Sequence, residues 1–243
     1  MQRPSVSCPG SGSIVVATQN AGSSGLQSGE TETVNFSQCV GQVSAPGVSS
    51  SAAVSGSVTV QVQNAQGVVG NDAANWSYTA VETANNLTLA SSNGTTVVNG
   101  TATFSMSYDA ATGVTTTTAS APTVTLNITQ AVTSGNVNGT ITITSLNYSR
   151  VHDSDPSGDT VLTSGAISVQ ASDAVMAFGV ATPTPVTISN GVVQGGVIQL
   201  SGDNAVESIT PGSNSTVNIS VTANGQTGTY SENVDSLREL TGS

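Results

Sequence analysis

Hydrophobic and polar residues alternate along most of this chain. Val58, Val60 and Val62 are separated by Thr59 and Gln61. Ala102, Phe104, Met106 and Tyr108 alternate with Thr103, Ser105 and Ser107, and Val124, Leu126 and Ile128 with Thr125 and Asn127. Val217, Ile219 and Val221 alternate with Asn218 and Ser220. Side chains on a strand point to opposite sides in turn, so each run predicts a strand with one apolar and one polar face. In residues 140–149 the parity changes: Ile141 and Ile143 share one face, Leu146 and Tyr148 take the other parity. An inserted residue does this, which predicts a β-bulge near Ser145.

Between the runs, Asn-Gly dipeptides at Asn93-Gly94, Asn99-Gly100, Asn138-Gly139, Asn190-Gly191 and Asn224-Gly225 predict tight turns. Val54-Ser-Gly-Ser-Val-Thr-Val, Val98-Asn-Gly-Thr-Ala-Thr-Phe and Val137-Asn-Gly-Thr-Ile-Thr-Ile form a loose repeat, echoed by Ser164-Gly-Ala-Ile-Ser-Val. Its irregular spacing suits successive hairpins better than a solenoid. One short helical turn is predicted within residues 234–240, capped by Asp235. The Pro-containing stretch at 181–185 predicts a hinge or long loop. The expected fold is all-β: a large antiparallel β-sandwich or a rolled meander of hairpins. It forms a single domain over residues 1–243.

Composition narrows the function. Of the 243 residues, 7% are charged, with 14 acidic side chains against three basic ones and a net charge of -11. There is no lysine, which excludes Schiff-base chemistry and a Walker-type phosphate loop. An acidic, Arg-poor surface excludes nucleic acid and anionic membranes as partners. One histidine, His152, is too few for a His-rich metal site. No apolar run reaches the roughly 18 residues of a membrane helix. At 3% aromatic residues the chain lacks the girdles of an outer-membrane barrel.

Cys8 and Cys39 are the only cysteines and have no CxxC spacing. They are expected to form a disulfide, which implies the periplasm or cell exterior. No signal peptide is visible at Met1, and a removed leader is expected.

Both ends carry a resemblance. Cys8-Pro-Gly-Ser-Gly-Ser, Gly25-Leu-Gln-Ser-Gly-Glu and Asn35-Phe-Ser-Gln-Cys39 open the chain, and Gly228-Thr-Tyr-Ser-Glu-Asn-Val-Asp-Ser-Leu-Arg-Glu-Leu240 closes it. These segments resemble those of uncharacterised Ser/Thr/Gly-rich secreted all-β proteins of proteobacteria. The composition is also similar to that of fimbrial subunits, without their penultimate Tyr. The resemblance implies an extracellular or cell-surface protein of a Gram-negative bacterium, exported through the periplasm. It carries no activity with it. The loops Gln19-Asn-Ala-Gly and Thr222-Ala-Asn-Gly lack the Asp common there, so no metal role passes to them.

The densest polar cluster is His152-Asp-Ser-Asp-Pro-Ser-Gly-Asp159. Asp153, Asp155 and Ser157 at alternate positions, then Gly158 and Asp159, look like the start of a calcium loop. The bidentate Glu of such a loop is missing, Ser164 standing in its place. The plainer alternative is an acidic hairpin tip. His152 beside Asp153 lacks a nucleophile elbow, and Glu30 and Glu32 look solvated, so no catalytic residue is assigned. The ten Asn-x-Ser/Thr sequons follow from a composition rich in Ser and Thr. Trp76 with Tyr78 is either a core pair or a sugar-stacking platform.

The polar strand faces carry Thr, Ser, Asn and Gln, with almost none of the charge, Lys above all, that protects natural sheets from pairing edge to edge. The expected function is therefore an extracellular structural protein. It self-associates into a fibre or matrix by β-strand addition, with the segment through Thr18 as donor. The alternative is a secreted glycan- or calcium-dependent binding module. A flat Thr array, including Thr115–Thr118, also leaves a surface-binding role open.

Overall fold

The computed structural model describes residues 5–22, 25–42, 51–132, 135–154, 157–172, 174–190, 192–213 and 215–233. The strands are β1 (Val6–Ser7), β2 (Ser11–Gln19), β3 (Thr31–Val40), β4 (Ala53–Gln66), β5 (Trp76–Ser91), β6 (Gly94–Asp109) and β7 (Val114–Val132). They continue as β8 (Gly135–Ser154), β9 (Ser157–Ala171), β10 (Val175–Ser189), β11 (Val192–Ser201), β12 (Ala205–Pro211), β13 (Thr216–Ala223) and β14 (Gln226–Asn233). All fourteen lie in one antiparallel sheet, in the order of the chain. Of the two expected architectures the molecule is thus a meander, and β1 and β14 form its two edges without closing it into a barrel. Val and Thr favour this outcome, since β-branched side chains fit a pleated surface better than a helix. The predicted helical turn at 234–240 lies outside the described residues.

Hairpin geometry follows the Asn-Gly signals in part. Ala223 pairs with Gln226 across Asn224 (φ 51°) and Gly225 (φ 76°), the two positive angles of a type I′ turn. Ser189 pairs with Val192, so the chain reverses after Ser189 as signalled, and Ser91 pairs with Gly94, so the neighbouring turn is Ser92-Asn93 with Gly94 already the first residue of β6. Asn99-Gly100 and Asn138-Gly139 are not turns; they lie inside β6 and β8. Residues 181–185 form neither hinge nor loop. They lie within β10, where the register shifts between Ala181 and Val186.

That shift belongs to a larger feature. A line of bulges crosses the sheet from β2 to β11. Gln38, Asn86 and Ser145 adopt φ of 49°, 49° and 52° on β3, β5 and β8. The register shift between Thr144 and Asn147 confirms the bulge expected at Ser145. Glycines stand against the bulges because the neighbouring backbone comes too close for a side chain. A Cβ on Gly12 would lie 2.0 Å from the Gln38 carbonyl oxygen, and one on Gly56 2.4 Å from that of Asn86. Gly196 meets Val186 Cα at 2.5 Å in the same way. Bulges bend and twist the strands that carry them, so the line divides the sheet into two wings.

Each bulge also switches side-chain parity, which keeps one chemistry on each face. On the near wing of β4–β11 an apolar row runs Leu87, Val98, Leu126, Ile141, Val169, Met176. Beside it lies a second row, Val124, Ile143, Ile167, Phe178. The opposite face is hydroxylated. Thr33, Thr59, Thr83 and Thr101 stand in one row across β3–β6. Their hydroxyls bond in pairs, at 3.3 Å between Thr33 and Thr59 and 3.2 Å between Thr83 and Thr101.

The buried core is small. Cys8, Cys39 and Val54 form its centre, with Ile14, Phe36 and Leu87 packed around them. The extensive strand contacts are all between neighbours in the meander. The chain exposes 14209 Å2, whereas a compact protein of this mass exposes about 9,900 Å2. A single layer explains the difference, because among the described residues no second layer covers either face.

Candidate functional site

Three places could carry function: the hairpin between β8 and β9, the aromatic cluster on β5 and β6, and the sheet's own faces and edge.

The hairpin brings together part of the predicted acidic set. His152 pairs with Asp159 and Asp153 with Gly158. Asp153 and Asp159 therefore project to opposite faces of the sheet. Asp155 lies outside the described residues, as does the side chain of Ser157. Asp159 is already engaged. Arg150 Nε donates to its Oδ1 at 2.8 Å and Nη2 to its Oδ2 at 3.0 Å, a bidentate pair. His152 Nδ1 lies 2.9 Å from the same Oδ1. A carboxylate only accepts, so Nδ1 carries the proton of that bond. The Arg150 hydrogen bond, aided by His152, holds the Asp159 carboxyl below its ordinary value against a smaller opposing effect of burial. The same bond raises Arg150. Among the described residues no group of three or more His, Cys, Asp or Glu side chains is arranged to hold a metal ion.

Arg150 escaped the sequence reading. Its signal was available: in a hairpin centred between Ser154 and Ser157, residue 150 lies diagonally across from 159, within reach of a long side chain. Glu32 is the second residue of β3, paired with Val60, while Glu30 precedes that strand. No acid–base pair is formed there.

Trp76 is buried and stacks on Tyr108 at 6.0 Å between ring centroids and on Tyr78 at 6.5 Å. This is core packing at the end of a strand pair. Its indole face is covered by tyrosines of its own sheet, so no open sugar platform is presented.

The segment through Thr18 is not a free donor. Ser11–Gln19 is β2, paired with β3 from Gln19–Thr31 to Ser11–Val40. The Cys8–Cys39 disulfide anchors its start. The available edge is instead β14, exposed along its whole length and carrying one charged side chain, Glu232. Among the described residues no further strand is paired with its outer side. No helix of the described residues is long and apolar enough to cross a membrane.

The chain matches no family model, no curated protein and no solved structure.

Proposed function

We propose that this chain is an extracellular or cell-surface structural subunit that self-associates into a fibre or matrix by β-strand addition. The observation that carries the reading is the open meander ending in β14, an exposed strand without lysine or proline. Such an edge presents unpaired N–H and C=O groups to another chain, and natural sheets normally block it with charge or proline. The disulfide supports an oxidising location, outside the cytoplasm of a Gram-negative cell. Strand addition at β14 replaces the donor role expected for the N-terminal segment.

Electron microscopy of the wild type and of Thr229→Lys tests this. Thr229 is central in β14 and pairs with Ser220. Extended assemblies of the wild type that shorten or vanish in Thr229→Lys support strand addition. Assemblies that ignore a charge placed in that edge rule it out.

A further inference from the structure

Growth at an edge extends the sheet in its own plane and leaves its apolar face as uncovered as before. We infer that a second copy of this chain covers it, apolar wing against apolar wing, making a two-layer sandwich from two single-layer sheets. The inference rests on the reading of the chain as a self-associating subunit, and names the second surface through which copies meet.

Three observations and one general rule point to a second copy. The near wing of β7–β10 keeps unbroken register: residues 123–132 pair with 135–144, 139–144 with 166–171, and 175–181 with 164–170. It is therefore an extended apolar surface with no bulge inside it. Its central row is Leu126, Ile141, Val169 and Met176, and Met176 is 56% exposed at the margin.

The surface is also free of charge. The apolar-face positions of that wing from Val54 on β4 to Leu200 on β11 include no Asp, Glu, Arg or His. Elsewhere on the same face, Glu32, Glu82 and the Arg150–His152–Asp159 set are separated from it by the bulge line, and Glu207 pairs with Leu200 at its far margin. A chain with net charge -11 can bring two copies together only where the contact itself is neutral. This wing meets that condition. It offers no charged group with which to select a partner of opposite charge.

Area agrees. Eight strands at ~4.8 Å, each showing about five residues at ~3.4 Å, give about 650 Å2 per copy and ~1,300 Å2 in the pair, within the range of specific interfaces. Finally, two sheets packed by their apolar faces are the standard way for a sheet to gain a core. An isologous pair achieves it with one sequence.

The test uses the full chain with its disulfide intact, in a Thr229→Lys background that suppresses edge growth. Sedimentation velocity is followed with concentration for this protein and three further variants. Ile141→Asp and Met176→Glu place charge on the apolar row, and Thr142→Asp places it on the opposite face of the same strand. The inference expects a reversible dimer in the background protein. It expects about tenfold or greater weakening in Ile141→Asp and Met176→Glu, and no change in Thr142→Asp. Met176 is exposed enough that its variant keeps the fold, which circular dichroism confirms, so loss of the dimer there is not misfolding. A background protein that stays monomeric at every concentration overturns the inference. So does a dimer weakened equally by Thr142→Asp, or one indifferent to both apolar-face variants. Long wild-type assemblies with a monomeric Thr229→Lys protein would retain strand addition and refute face pairing. A dimer with no longer assembly in the wild type would do the reverse.

Discussion

Two residues with unusual surroundings give the sharpest tests at the smallest scale. Asp159 is held below its ordinary carboxyl value by Arg150 first and His152 second. A carboxyl depressed in the folded state adds stability above its unfolded value of ~4, and loses it as pH falls through the folded value. Asp159→Asn should therefore melt below the wild type at neutral pH, and the two should converge in strong acid. Thermal melts across that range check it, and a gap that persists in acid would deny the pair its role. Gly56 is the second such residue. With φ at 103° and the Asn86 carbonyl oxygen 2.4 Å from any added Cβ, Gly56→Ala should cost about 1–3 kcal/mol. Gly228, with nothing within 4 Å and no positive φ, should accept alanine almost freely. Denaturant melts of the two variants compare them directly. Glycines at bulges and at hairpin turns look alike in sequence, because both answer a need for space or positive φ. That is why Asn99-Gly100 reads as a turn although it lies opposite β7 at the bulge line.

At the level of elements, strands were legible and their lengths were not. Alternation in residues 58–62, 102–108, 124–128 and 217–221 locates β4, β6, β7 and β13. The parity change at Ser145 locates its bulge. What alternation cannot carry is continuity. An Asn-Gly pair within one strand reads as a turn, so β8 at 20 residues reads as two pieces parted at Asn138-Gly139. The stretch at 181–185 reads as a hinge or loop because of its prolines, whereas it sits at a register shift within β10. The acidic set 153–159 was legible as a hairpin tip. Its register was not, and register is what separates Asp153 from Asp159 by a sheet thickness. The disulfide gives this scale its prediction. Cys8 and Cys39, 31 residues apart, fasten β2 across β3 at a well-buried cluster. Reduction should lower stability by ~3.5 kcal/mol in the chain-entropy model. Hydrogen exchange should rise first in β1 and β2 and leave β7–β9 protected. Uniform acceleration over the sheet, or no acceleration, would contradict this.

At the scale of the whole molecule, the fold class was legible but its layering was not. A sandwich and a single-layer meander share the same alternation, since each strand has one apolar face in both. The difference lies in what covers that face. Here the described strands supply no cover, and the surface of 14209 Å2 records the fact. The hydroxyl face balances this arrangement, because threonine rows bonded to one another, as at Thr33–Thr59, satisfy polar groups without charge. The proposed self-association uses both the open β14 edge and the uncovered wing. Sedimentation equilibrium of the wild-type protein under oxidising conditions, from dilute solution to its solubility limit, tests that claim most directly. The average mass should rise steadily with concentration above that of one 24.0 kDa chain. A mass fixed at one chain throughout would contradict the account.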